Sequence, residues 1–209
     1  DRAVLAPHEA VPAGTWPIQL PRLGKKLRIA IIGTLVDHKG ARSVAAAVEA
    51  ADPARFEFHL IGHTDGPFPK TALKRMKVTG KYKEPELNAL IAAADPHVIW
   101  FPMSWPETYS YTLSAAIARG CAIAASRIGS FPERLAGRPF TWLSGVPTST
   151  RAWLALFEEV RAAIATAGPR PEVPPRPAVE DFYAAHYLRS SGKPKRSSPA
   201  PRRPRIMVI

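Results

Sequence analysis

A single cysteine, Cys121, occurs in 209 residues, so no disulfide can form within the chain. No apolar run approaches the roughly 18 residues that a membrane span needs, and no charged-then-apolar leader opens the sequence. These absences point to the cytosol. Acidic residues are missing altogether from Phe182 to Ile209, where Arg189, Lys193, Lys195, Arg196, Arg202, Arg203 and Arg205 carry seven of the twelve net positive charges. That stretch is rich in Ser and Pro and has no aromatic side chain between its charges. It reads as a solvated, flexible linker and not as a surface that stacks on nucleic-acid bases. His38, His59, His63 and His97 lack the short-range spacing of a zinc site, and neither Gly-x-Ser-x-Gly nor Cys-x-x-Cys occurs.

What is present is a core-forming body. With 46% hydrophobic residues the chain can fill a sizeable interior. Residues 1–26 scatter Pro7, Pro12, Pro17 and Pro21 among short apolar patches and read as a connector from a preceding domain, lying across a surface. From Leu27 the pattern changes. Apolar strand-like runs at 27–33, 56–62, 76–80, 97–102, 121–126 and 139–143 alternate with helical patterns at 40–50, 69–75, 84–94, 109–119, 130–136 and 149–165. Continuous apolar strands separated by helices predict an α/β domain of the Rossmann kind, a doubly wound parallel sheet covered on both faces. Five prolines between Gly168 and Pro177 predict an extended crossing, followed by a short amphipathic helix at Val179 to Leu188. The final residues, Arg202 to Ile209, echo Lys25 to Ile32. Either this is chance in a basic, aliphatic chain, or the chain stops inside the first strand of a further domain.

The stretch Pro102 to Gly120 concentrates the chemistry. It leaves the buried run His97 to Phe101, passes a loop holding Glu107 and several hydroxyls, and enters an alanine-rich helix that Gly120 closes. A helix that starts at the carboxyl edge of a parallel sheet presents backbone N–H groups suited to an anion. Cys121, at the start of a buried run, reads as inert core. Glu133 either braces the loop from the next turn or is plain surface.

Three segments in this order resemble the C-terminal, donor-binding domain of retaining glycosyltransferases of family 4, enzymes of the two-domain GT-B fold. Gly33-Thr34-Leu35-Val36-Asp37-His38-Lys39-Gly40 is similar to Gly-Arg-Leu-x-x-x-Lys-Gly, and Phe58 to Gly62 looks like the second-strand signature. Pro106-Glu107-Thr108-Tyr109-Ser110 through Gly120 to Ser126, then Gly129 and Pro132-Glu133, resembles Glu-x-Phe-Gly…Glu-Ala-x-Ala-x-Gly-x-Pro-Val with Gly-x-x-Pro-Glu. Two positions depart: the phosphate-binding arginine falls on Thr34, and the second glutamate of the Glu-x7-Glu pair falls on Ala115.

The resemblance covers about 27 to 165 and implies a nucleotide-sugar domain there, with 166–188 as crossing and closing helix and 189–209 as tail. It implies catalytic roles for Lys39, a point charge on the departing diphosphate, and for Glu107, an acceptor for sugar hydroxyls. Donor contacts would come from Gly33, Thr34, His63, Thr79, Gly80, Tyr82, Tyr109, Ser110, Tyr111 and Thr112, with Tyr82 stacking on the base or merely packing at the rim. No metal or other cofactor is implied. The partners are a nucleotide sugar and an acceptor glycan or lipid held by an N-terminal domain outside this sequence, with no nucleic acid. The implied setting is polysaccharide or glycan synthesis in a bacterial-type cytoplasm, or at the inner face of the cell membrane. Three classes compete: a hexosyl-transferring enzyme, a Rossmann-like scaffold that has lost its donor, and another GT-B enzyme such as a sugar-nucleotide epimerase. Retention of Glu107 and Lys39 favours the first.

Overall fold

A computed structural model describes residues 18–170. Six parallel strands form one sheet: β1 (Leu27–Leu35), β2 (Phe56–Thr64), β3 (Met76–Val78), β4 (Val98–Phe101), β5 (Ala122–Ser126) and β6 (Thr141–Ser144). Their order is β3-β2-β1-β4-β5-β6, so the winding reverses between β1 and β4. Six helices connect or follow them: α1 (Ala41–Ala50), α2 (Lys70–Leu73), α3 (Leu87–Ala94), α4 (Tyr111–Ala118), α5 (Phe131–Arg134) and α6 (Thr150–Ala167). The expected alternation holds, with ends shifted by a few residues.

Both faces of the sheet are apolar because β1 alternates between them. Leu27, Ile29 and Ile31 face a cluster with Val44 and Val48 of α1 and Trp153, Phe157 and Ile164 of α6. Ala30 and Ile32 face the opposite cluster, where Ile99, Leu113, Ile117, Ile123 and Phe131 meet. In the first, Trp100 stands edge-on to Trp153 at 5.2 Å and to Phe157 at 5.0 Å between ring centroids. Such pairings add to what area burial supplies.

Of the expected connector, the described residues 18–26 do not lie wholly on a surface. Ile18 and Leu20 are buried in the first cluster, and Leu20 pairs antiparallel with Arg170 just past α6. Gln19 donates its N–H to Gly120 O at 2.8 Å, and the Arg22 carbonyl faces His97 Nε2 at 3.1 Å. Proline punctuation conceals this, since among the described residues of the stretch Ile18 and Leu20 enter the core and Leu23 packs against it. The proposed closing helix at Val179 to Leu188, the basic tail and most of the proline-rich crossing lie outside the described residues.

Gly120 ends α4 as expected, at φ 73° with its N–H on Ile117 O and that of Cys121 on Ala116 O. Cys121 is buried, and burial pushes its thiol up to about 11, which leaves it protonated and inert. Among the described residues no helix is long and apolar enough to cross a membrane.

Candidate functional site

The reversal of strand order opens a crevice at the carboxyl ends of β1 and β4, where doubly wound sheets bind ligands. Thr34, Lys39, Pro102, Glu107, Ser110 and Thr112 line it, and its open space is about 300 Å³ including the solvent-facing mouth. Two loops line it and a third backs them, each held by main-chain contacts.

The first loop is a 3-10 turn, Asp37–Lys39, that runs into α1 through Gly40. Gly40 has φ 84°, and a Cβ there would fall 1.9 Å from Pro102 O. Only glycine permits this approach. The second loop follows β4, where Ser104 donates its N–H to His38 O at 3.0 Å and its hydroxyl to Asp37 O at 3.0 Å. The third loop joins β5 to α5. A Cβ on Gly129 would meet Glu107 O at 2.6 Å, and the next N–H, of Ser130, donates to Glu107 O at 3.0 Å.

These contacts bring the two residues with implied catalytic roles together. Lys39 Nζ lies 3.5 Å from Glu107 Oε1, with both side chains partly exposed. A pair of this exposure contributes roughly 1 kcal/mol or less, so an incoming anion can displace it.

Ser110 caps α4 in extended conformation, accepting from Leu113 N–H at 3.4 Å, and its hydroxyl meets that of Thr112 at 3.2 Å. A helix offers no internal acceptor to the N–H groups of its first turn, so this end carries a partial positive charge beside Lys39. Gly33 lies directly beneath: a Cβ there would stand 3.7 Å from Thr112 Cγ2.

The other expected contacts fall elsewhere. His63 pairs with Thr34 in the β1–β2 register but does not line the crevice. The Thr79 hydroxyl accepts the N–H of Gly62 at 2.8 Å, and Gly80 donates to Gly62 O at 2.9 Å, so both extend the ladder between β2 and β3. Tyr82 packs against the second core cluster, where burial raises the pKa of its phenol. Tyr109 and Tyr111 stand at the rim, edge-to-face at 4.9 Å, and Tyr111 is 68% exposed. The brace from the β5–α5 turn is not Glu133 but its neighbour Arg134, whose guanidinium donates to Ser110 O at 2.9 Å. A pattern of residue types gives no sign of this, because the contact spans 24 positions. Among the described residues no group of three or more His, Cys, Asp and Glu side chains gathers to hold a metal ion.

Comparison with known proteins places the fold. No family profile matches the sequence, and no curated protein matches it. Solved structures do match in shape. The lipopolysaccharide outer core galactosyltransferase WaaB in its apo form superposes with a TM-score of 0.57 at 16% identity, over 73% of this chain and 45% of that one. The Anabaena protein HepE in complex with UDP-glucose gives 0.52 at 15% identity, over 68% of this chain and 40% of that one. The catalytic domain of starch synthase IV from Arabidopsis thaliana, bound to ADP and acarbose, gives 0.50 at 15% identity, over 69% and 33%. The chain has the Rossmann-like fold of GT-B glycosyltransferase domains. It spans less than half the length of each of these three structures.

Proposed function

We propose that this chain binds a nucleoside diphosphate sugar in the crevice between β1 and β4, as the donor-binding half of a retaining, hexosyl-transferring glycosyltransferase resembling family 4. The observation that carries the reading is the convergence of Lys39, Glu107 and the N-terminus of α4 on one crevice at the strand-order reversal. Similarly folded structures hold UDP-glucose and ADP, which suits the same chemistry.

In this reading the diphosphate takes Lys39 from Glu107 and sits against the first-turn N–H groups of α4. As the bond from sugar to phosphate breaks, negative charge grows on the leaving phosphate, and the lysine and helix end stabilise it in place. Glu107, released from Lys39, accepts hydrogen bonds from sugar hydroxyls. Binding proceeds without a divalent cation, since these groups supply the positive field. The acceptor, a glycan or lipid in polysaccharide synthesis, is held by a second domain, either in the cytoplasm or at the inner membrane face. One wall cannot orient two substrates, so this chain alone transfers no sugar.

A scaffold without donor is the second reading, favoured by Thr34 and Ala115 where the family pattern has a charged arginine and glutamate, and by the Lys39–Glu107 pair that neutralises the crevice. Titration calorimetry with UDP, GDP and ADP, with and without chelator, separates the two. Saturable binding unaffected by chelator supports the donor site, and no heat with any of the nucleotides leaves the scaffold.

A further inference from the structure

We propose that Arg134 is the positioning residue of this site, clamping through Ser110 and Ser114 the junction at which the Glu107 loop becomes α4. The proposal rests on the donor-binding reading for its consequence, though not for its geometry. Arg134 closes α5, whose Phe131 is fully buried and packs on Phe101 at 5.3 Å between centroids. The start of α5 is tied to the same loop by the Ser130 N–H on Glu107 O. The base of the arginine is therefore fixed to the core.

From that base the guanidinium forks. Nη1 donates to Ser110 O at 2.9 Å and Nη2 to Ser114 Oγ at 2.6 Å, while the plane lies 4.4 Å over the Tyr109 ring. The Tyr109 hydroxyl joins Ser114 Oγ at 2.8 Å, which closes the group. The helix cap itself is long, 3.4 Å from Leu113 N to Ser110 Oγ, and weak at that length. Charge-assisted bonds are about twice as strong as neutral ones, so the fork and not the cap fixes the direction of the first turn of α4. Lysine carries the charge but not the planar fork, and cannot serve both acceptors in this geometry.

Amide hydrogen exchange and UDP titration on the full chain test this with Arg134→Ala, Arg134→Lys and Ser114→Ala. We expect exchange at the Leu113 and Ser114 amides to quicken roughly tenfold in Arg134→Ala and UDP affinity to fall roughly tenfold. Arg134→Lys should recover neither, and Ser114→Ala should move both in the same direction by less. If the alanine variant fails to fold, the other two carry the same readouts. Unchanged exchange at these amides in both arginine variants would overturn the clamp, and full recovery by lysine would overturn the fork. Faster exchange with UDP affinity intact would overturn the link to the site. A wild-type chain that binds none of UDP, GDP and ADP while Arg134→Ala still exchanges faster would sink the proposed function and uphold the clamp.

Discussion

Lys39 and Glu107 are 68 positions apart in the sequence, yet the Lys39 ammonium lies 3.5 Å from the Glu107 carboxylate. The pair makes the crevice electrically quiet at its centre. An anion that binds there must offer the ammonium a better partner than this largely covered carboxylate.

Lys39→Ala should accordingly separate stability from binding. Its loss from a partly exposed pair costs about 1 kcal/mol of folding free energy at most. Loss of a charged hydrogen bond to phosphate costs roughly 1.5 to 3 kcal/mol of UDP affinity. Urea unfolding and calorimetry measure the two, and equal affinity in wild type and variant would remove Lys39 from the site.

Gly40→Ala should damage the fold more than a surface glycine would suggest. The backbone is at φ 84° and the new Cβ would lie 1.9 Å from Pro102 O, so the turn must move away from the β4 loop. We expect a loss above about 2 kcal/mol in urea unfolding. A change below half of that would show that the two loops part easily.

His97 predicts a pH dependence. Its ring is fully buried, with Nδ1 accepting the Arg28 N–H at 2.8 Å and Nε2 facing Arg22 O at 3.1 Å, which fixes a neutral ring protonated on Nε2. Burial lowers its pKa below the ordinary 6.5. The unfolded chain therefore binds the proton more readily than the folded one. Stability is complete above about 6.5 and declines as pH falls toward the lowered value. Urea midpoints at about pH 7.5 and about pH 5.5 should differ in wild type and converge in His97→Gln; identical slopes in both proteins would clear His97.

A second acid-sensitive point sits at the β2–β3 edge. Lys77 at 2.8 Å, and then His59 at 2.5 Å, hold the Glu57 carboxyl near a pKa of about 2, against an ordinary 4.5. Here too the folded value is depressed, so the contribution is present above 4.5 and lost as pH falls toward 2. Lys77→Met should flatten the acid limb of the unfolding curve between those values. An acid limb of unchanged steepness would mean that Lys77 does not govern the carboxyl.

Much of the fold was legible because β4 and the Ile29-to-Ile32 stretch of β1 are buried on both sides and so appear as unbroken apolar runs. Gly120 and the alanine-rich α4 marked a helix end in the same direct way. The site was half legible. Lys39, Glu107, Ser110 and Thr112 are polar groups at the ends of strands, where chemistry concentrates. Thr79 and Gly80 are there too, but they serve the sheet ladder, and residue type cannot tell a ladder hydroxyl from a ligand hydroxyl. The role of Arg134 leaves no mark in the sequence because its partners are a carbonyl and a serine, which make no charge pattern. Burial of Ile18 and Leu20 was hidden by the prolines around them.

The three loops of the crevice are joined largely through carbonyl and amide groups: Ser104 N–H to His38 O, Ser130 N–H to Glu107 O, and Gly40 against Pro102 O. Every residue type carries the carbonyl and all but proline the N–H, so many side chains around the cradle can be exchanged while its shape persists, provided that the close-approach glycines and the Arg134 fork stay. A common fold at 16% identity is the outcome such a scaffold allows. It also makes the crevice tolerant of change at its lining: replacing Thr34 would alter the surface it presents without disturbing how the loops are held.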